Sequence, residues 1–230
     1  MILYQYEKGY RYNSDSMFLY DFITSFHPKG EVLDVGCGCG ILGLLIKRDF
    51  PSINLTSIDI QEEHILLAQK NAEINELHVK TILADFTKAN FDKQFDLIIS
   101  NPPFYLQNTK QSEDERLKIS RYENYLPFSK LFSQSYKLLN SGGSLIFCYD
   151  VNQIDKLMYE LHNFKLKVSD ICFVHPRADK ESNIALIRAK KNSKSSTKIH
   201  SPLFVFEGKE YTKRVRDIFT KASTKSVTCN

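Results

Sequence analysis

Glu31-Val32-Leu33-Asp34-Val35-Gly36-Cys37-Gly38-Cys39-Gly40-Ile41-Leu42-Gly43-Leu44-Leu45-Ile46-Lys47 reads as a strand, a glycine turn and a helix in succession. The first five residues are mostly apolar, as a strand buried on both faces requires. Glycines at 36, 38 and 40 let the backbone turn sharply and approach a ligand closely. The helix that follows offers free N–H groups at its start. The next apolar run, Leu55-Thr56-Ser57-Ile58, ends at Asp59. A carboxylate there can accept from both hydroxyls of a ribose, as in dinucleotide sites. Strand, helix and strand in this order form a parallel βαβ unit, and so an α/β sheet with helices on both faces.

Outward from this unit the alternation continues. Ser14 or Asp15 is expected to cap a helix over 16–26, where Phe18, Leu19, Phe22, Ile23 and Phe26 have helical spacing. A second crossover helix is expected over 62–77, with strands at 79–83 and 95–100. A helix over 125–139 should stop at Asn140-Ser141-Gly142-Gly143 and be followed by a strand over 144–149. Beyond it come a helix over 154–163, strands near 165–175 and 183–189, a basic loop at 192–198, a short strand at 203–206 and a basic helix over 212–221. The polar stretch 105–120, with Arg116, Lys118 and nearby Arg121, reads as a lid or substrate loop.

At the carboxyl end of the strand over 95–100 stands Asn101-Pro102-Pro103-Phe104. Two prolines hold the backbone extended and remove two donors. The Asn101 side-chain oxygen and the Pro102 carbonyl remain as acceptors, which suits a planar amino group such as that of adenine. Phe104 offers a face on which a base can stack. In open α/β sheets ligands bind beyond the carboxyl ends of strands, and the glycine turn, Asp59 and Asn101 all fall there.

The 230 residues suit one α/β domain, with a lead-in over 1–30 and a basic extension over 186–230. No run approaches the ~18 apolar residues of a membrane span. The start, Met1 to Glu7, lacks the basic and apolar regions of a signal peptide, so a cytoplasmic protein is expected. Five cysteines show no CxxC pair; Cys37 and Cys39 read as small residues in a tight loop under reducing conditions rather than as metal ligands. Isolated histidines such as His64, His162 and His200 read as surface or packing residues. Net charge is +4, but residues 186–230 hold 11 Lys and Arg against 3 Asp and Glu. A basic end on an otherwise near-neutral chain points to a polyanion, with Lys190, Lys191, Lys194, Lys198, Lys213, Arg214 and Arg216 as candidate contacts.

Gly38-x-Gly40-x-x-Gly43 also fits the dinucleotide fingerprint, so a nicotinamide-dependent oxidoreductase stays open at this point. Asp34 ahead of three alternating glycines, however, resembles motif I of class I S-adenosylmethionine methyltransferases. An ammonium group gains from a nearby carboxylate where a pyrophosphate would not. With Asn101-Pro102-Pro103-Phe104 the pattern resembles amino-methyltransferases acting on adenine, guanine or glutamine nitrogen. Gln5-x-x-x-Gly9-Tyr10-Arg11-Tyr12-x-x-Asp15-Ser16 and Val174-His175-Pro176-Arg177 narrow it further. Together these segments resemble the bacterial tRNA(valine) adenine-N6 methyltransferases, which modify adenine 37 beside the anticodon.

That resemblance implies a Rossmann-like class I methyltransferase fold, with a mostly parallel seven-stranded sheet and helices on both faces. It implies S-adenosylmethionine as methyl donor and tRNA as partner, with Cys37 and Cys39 standing where relatives often carry Thr or Ala. Asp34 with Gly36, Gly38 and Gly40 would hold the methionine end, Asp59 the ribose and Asp85 the adenine amino group. Ser14 or Asp15 would close over the cofactor; Asn101, Pro102 and Phe104 would present the target base. Glutamine methyltransferases of release factors carry a helical domain before motif I, and only about thirty residues precede it here. Methylation of rRNA guanine or DNA adenine, and a non-catalytic RNA-binding role, are the remaining alternatives.

Overall fold

A computed structural model of the chain describes residues 1–7, 12–103 and 126–229. Phe104, the 105–120 segment with Arg116 and Lys118, Arg121, and Gly9 to Arg11 lie outside the described residues.

The frame is a sheet whose central seven strands are β2 (Glu31–Val35), β3 (Asn54–Asp59), β4 (Lys80–Leu83), β5 (Phe95–Ser100), β6 (Leu139–Asp150), β7 (Leu166–His175) and β8 (Ile184–Lys191). Their spatial order is β4-β3-β2-β5-β6-β8-β7. All pairings from β4 to β6 are parallel, while β8 runs antiparallel to both β6 and β7. Two short strands, β9 (Lys198–Ile199) and β10 (Leu203–Phe204), add to β7 and widen the sheet to nine. The order reverses between β2 and β5, and a crevice opens there at the carboxyl ends.

The helices are α1 (Ser14–Thr24), α2 (Ile41–Asp49), α3 (Glu62–Ile74), α4 (Phe128–Leu138), α5 (Ile154–Asn163) and α6 (Lys213–Ala222). Most buried side chains fall into two large apolar cores, with a small third cluster of Cys37, Ile65 and Ala68. One is built from Phe18, Leu19, Leu45, Ile46 and Val215 with their sheet neighbours, the other from Leu131, Phe132, Leu157 and Leu161 with theirs. This two-sided burial explains the near-continuous apolar runs of the central strands.

Three local expectations are corrected. Helix α1 is capped by Asn13, not by Ser14 or Asp15: Asn13 is extended, and its side-chain oxygen accepts from the Asp15 N–H at 3.1 Å. The helix therefore begins two residues earlier, at Ser14. Helix α3 ends at Ile74 rather than near Leu77. After α4 the chain does not stop in a turn. It enters β6 at Leu139, and Asn140 to Gly143 are absorbed by a register shift opposite Phe95 and Leu97.

The chain ends also pair with each other, which no local pattern foretold. β1 (Ile2–Tyr6) lies parallel to β13 (Lys225–Cys229), forming a two-stranded sheet of their own. Helix α3 holds β1 with side chains in place of a strand. Asn75 accepts from the Ile2 N–H and donates to the Ile2 carbonyl; Asn71 does the same with Tyr4. Asn71 also donates to the Cys39 carbonyl at 2.9 Å, tying this strap to the glycine turn. A small hairpin of β11 (Phe206–Glu207) and β12 (Glu210–Tyr211) precedes α6, which Thr212 caps by accepting from the Val215 N–H.

Candidate active site

A cleft opens at the carboxyl ends of β2, β3, β4 and β5. Gly36, Gly38, Asp59, Asp85 and Asn101 line it, with Pro103, Gln61 and His64. Its apolar walls come from Ile58, Ile60, Ala84, Phe86 and Leu126. Apolar walls with a few convergent polar groups suit a nucleoside.

The turn after β2 requires its glycines. Gly36 and Gly38 have φ of +67° and +53°, in the left-handed region. A Cβ on Gly36 would meet no atom within 4 Å, so its α-carbon borders open space that a ligand can enter. Gly40 also has positive φ, but it does not line the cavity; it caps α2 against Leu44 and Ala68. Cys37 and Cys39 are buried in this turn. Burial pushes the Cys37 thiol far up and the Cys39 thiol up to about 12, so both stay protonated.

Asp59, at the tip of β3, is held in place by its surroundings. Its Oδ2 accepts from the Gly38 N–H and its Oδ1 from the Gln61 N–H, both at 2.9 Å. His64 Nδ1 lies 3.2 Å from Oδ2. His64 is therefore a packing residue of the cavity wall rather than of the surface. Ile60, next along, is 49% exposed and presents an apolar edge at the cavity mouth. A planar base laid against Ile60 and Phe86 would cover both.

Asp85 follows β4. Burial acts to raise its carboxyl, but the Thr87 hydroxyl and N–H and the Lys88 ammonium outweigh it and hold it below the ordinary carboxylate range. Oδ1 accepts both Thr87 bonds, at 2.7 and 2.9 Å. Lys88 reaches Oδ2 at 3.2 Å. The group is thus an ionised acceptor at the wall.

Asp34, like Gly40, is an expected cofactor ligand that stands outside the cavity lining. It is 1% exposed and does not line the cavity; its Oδ2 accepts from the Gly43 N–H at 3.0 Å. Burial raises its carboxyl to about 7; the Gly43 bond works against that and the Asp59 charge adds to it. Asp34 braces the base of the glycine turn from beneath.

Asn101 emerges half-buried from β5. Its Nδ2 donates to Ser16 Oγ at 3.1 Å, and its Oδ1 accepts from the Cys148 thiol at 2.9 Å. Pro103 lines the cavity, whereas Pro102 is buried and does not. Ser14 and Asp15 do not line it either. Their helix instead delivers Ser16 to Asn101, while burial raises the Asp15 carboxyl against the pull of Asn13 and Ser14. Ser16, Cys148, Gln61 and His64 are site residues that the sequence did not announce. Of the four, Ser16 alone fell inside a segment that carried the family resemblance.

The basic candidates are dispersed. Lys190 pairs with Ser144 on β6, while the strand position level with Asn101's partner Cys148 is Leu186. Four residues of strand, about 13 Å at ~3.3 Å each, place Lys190 toward the far end of the sheet. Lys191 donates to the Leu139 carbonyl and covers the Tyr136 ring. Lys194 and Lys198 are exposed beside the amino-terminal half of β7. Lys213, Arg214 and Arg216 are exposed on α6, with Arg216 donating to the Tyr211 carbonyl. Among the described residues no helix is long and apolar enough to cross a membrane.

A family model described as "Methyltransferase small domain" matches residues 12–165. The chain is 24% identical over 219 residues to the tRNA1(Val) (adenine(37)-N6)-methyltransferase of Vibrio campbellii, covering 94% of this chain and 91% of the relative. Among solved structures, one described as a predicted O-methyltransferase from Agrobacterium tumefaciens aligns with TM-score 0.70 at 18% identity, over 93% of this chain and 99% of that one. The T. thermophilus 16S rRNA N2 G1207 methyltransferase, in complex with AdoMet and guanosine, aligns with TM-score 0.57 at 18% identity, over 79% of this chain and 44% of that one.

Proposed function

Because the chain belongs to the methyltransferase small domain family, we propose that it transfers a methyl group from S-adenosylmethionine to N6 of an adenine in tRNA, with adenine 37 of tRNA(Val) as the target. The observation that carries the reading is Asn101, placed by β5 on the same cavity as Gly36, Gly38 and Asp59. The similarity to the Vibrio campbellii enzyme over most of both chains supports the choice of substrate.

The cavity fits the donor. The open cradle at Gly36 accepts a chain that a side chain would obstruct, and Asp59 would hold the ribose hydroxyls. Ile60, Ala84 and Phe86 would cover the adenine, with Asp85 at its amino edge. Asp34 acts from below, through the turn it braces. When bound, S-adenosylmethionine supplies a methyl group on a sulfonium, already a strong electrophile.

The protein's work is positioning. Asn101 Oδ1 and the Pro102 carbonyl accept the two amino hydrogens of the target adenine and turn the nitrogen lone pair toward the donor. No strong base is needed first, because the nitrogen becomes acidic only once methylated. Phe104 would stack on the extruded base, an interaction worth ~1–3 kcal/mol. The exposed Lys213, Arg214 and Arg216 of α6 would follow the RNA backbone.

The test is transfer of labelled methyl from S-adenosylmethionine to unmodified total tRNA, followed by nucleoside digestion and mass spectrometry. The expected product is N6-methyladenosine confined to a valine isoacceptor. Label appearing as N2-methylguanosine in rRNA, with tRNA blank, would overturn the substrate.

A further inference from the structure

Asn101 depends on its orientation. The two ends of a carboxamide have nearly the same shape, and only their hydrogen-bond partners decide which one faces the ligand. An oxygen turned to the adenine amino group accepts from it; an NH2 turned there repels it. Two buried side chains from distant parts of the chain hold this amide. Ser16, from the first turn of α1, takes Nδ2, and Cys148, from the strand beside β5, reaches Oδ1. Both are nearly sealed from solvent, at 2% and 0% exposure.

Cys148 is the discriminating partner, because a hydroxyl such as Ser16 can donate or accept whereas a protonated thiol is chiefly a donor to oxygen. Burial, with the Asp15 carboxylate adding to it, pushes the Cys148 thiol far above its ordinary range, so the S–H proton is retained. Cys148 is not among the residues lining the cavity, so among the described residues its link to the site is its hydrogen bond to Asn101. Oδ1 has two lone pairs; one takes the thiol, and among the described residues no other donor takes the second, which can serve the substrate.

We propose that Cys148 is a positioning residue that, with Ser16, fixes the Asn101 amide with its oxygen toward the substrate amino group. This rests on the methyltransferase reading above. It adds a requirement that the Asn-Pro-Pro segment alone does not state: a hydrogen-bond donor on the neighbouring strand.

The test compares Cys148→Ala, which removes the donor, with Cys148→Ser, which keeps one, and uses Ser16→Ala as an independent second probe. Methyl transfer to unmodified tRNA is measured together with S-adenosylmethionine affinity and the Asn101 side-chain 15N–H resonances. Cys148→Ala is expected to lower kcat about tenfold, the scale of one neutral hydrogen bond. Its donor affinity should stay within about twofold, and the Asn101 resonances should shift. Cys148→Ser is expected to recover most of kcat and the wild-type resonances. In an Asn101→Ala background Cys148→Ala should add nothing, as required if both act through one group. Wild-type resonances and kcat in Cys148→Ala overturn the proposal, as does a serine variant as slow as the alanine one. Shifted resonances in Cys148→Ala, beside a wild-type protein that labels no RNA, would uphold the positioning role and overturn the substrate reading instead.

Discussion

Asp34 and Gly43 are fitted to each other. The carboxylate Oδ2 accepts from the Gly43 N–H at 3.0 Å, and a Cβ on Gly43 would come within 2.7 Å of that same oxygen. Leu55 stands 3.1 Å from the same point. The absence of a side chain at 43 therefore lets the first turn of α2 settle onto the end of β2, and the glycine turn between them takes its shape from that fit. Gly43→Ala gains about 1 kcal/mol of helix propensity. It forces apart two buried groups that have no room to retreat, a cost of about 1–3 kcal/mol. The expected net result is a loss of up to about 2 kcal/mol in urea denaturation, with weaker S-adenosylmethionine binding. Unchanged stability and affinity would show that the turn does not depend on this fit.

The same carboxylate gives stability a pH dependence. Asp34 titrates near 7 in the folded chain against 3.8 for a free side chain. Between those values the folded state holds a proton that the unfolded state has released. Stability contributed by this group therefore falls as pH rises through the window and levels off above it. From pH 5 to pH 8 the loss is about 2–3 kcal/mol at ~1.4 kcal/mol per tenfold. Asp34→Asn keeps an oxygen for the Gly43 N–H and carries no charge. Its stability relative to wild type should rise by that amount between pH 5 and pH 8. Parallel stability curves for the two proteins across the range would refute the assignment.

Asn101 should separate chemistry from binding. Its amide lies at the cavity while the groups assigned to the donor, Asp59, Asp85 and the glycine turn, belong to other strands. Asn101→Ala is expected to reduce methyl transfer by a factor of about a hundred or more, since positioning of a reacting atom contributes several kcal/mol. S-adenosylmethionine affinity, measured by calorimetry, should stay within a few-fold. A variant that turns over at the wild-type rate would remove Asn101 from the mechanism.

What the sequence could disclose divides along physical lines. The βαβ unit, the glycine turn, Asp59 and Asn101 were legible because each is a local pattern: an apolar run, a break, and a polar residue at a strand end. The partners of Asn101 were not, because Ser16 and Cys148 lie 85 and 47 residues away and meet it only after the sheet has formed. The pairing of β1 with β13 joins the two chain ends, and no spacing within either segment encodes that register. The cap of α1 was misplaced because Asn13, Ser14 and Asp15 are all competent caps. The extended backbone of Asn13 decides among them. Asp34 was expected to face the ligand from its place ahead of the alternating glycines and from its charge; its hydrogen bond goes to Gly43, a residue whose role in sequence looked like that of one more glycine.

Placement divides the basic residues in a way that composition could not. Lys190 sits toward the far end of the sheet, and Lys191 is engaged with the Leu139 carbonyl and the Tyr136 ring. Lys213, Arg214 and Arg216 are exposed on α6, which packs against the helix that delivers Ser16 to Asn101. If RNA approaches along α6, replacing those three by alanine should weaken tRNA binding and lower the slope of log K against log salt by about 2, at ~0.7 for each phosphate no longer neutralised. The Lys190→Ala, Lys191→Ala pair should leave the slope unchanged, with any destabilisation appearing in thermal melting through Lys191. Filter binding of unmodified tRNA at several salt concentrations measures both slopes. A flattened slope in the Lys190, Lys191 pair and none in the α6 triple variant would move the RNA to the opposite end of the sheet and exclude this approach.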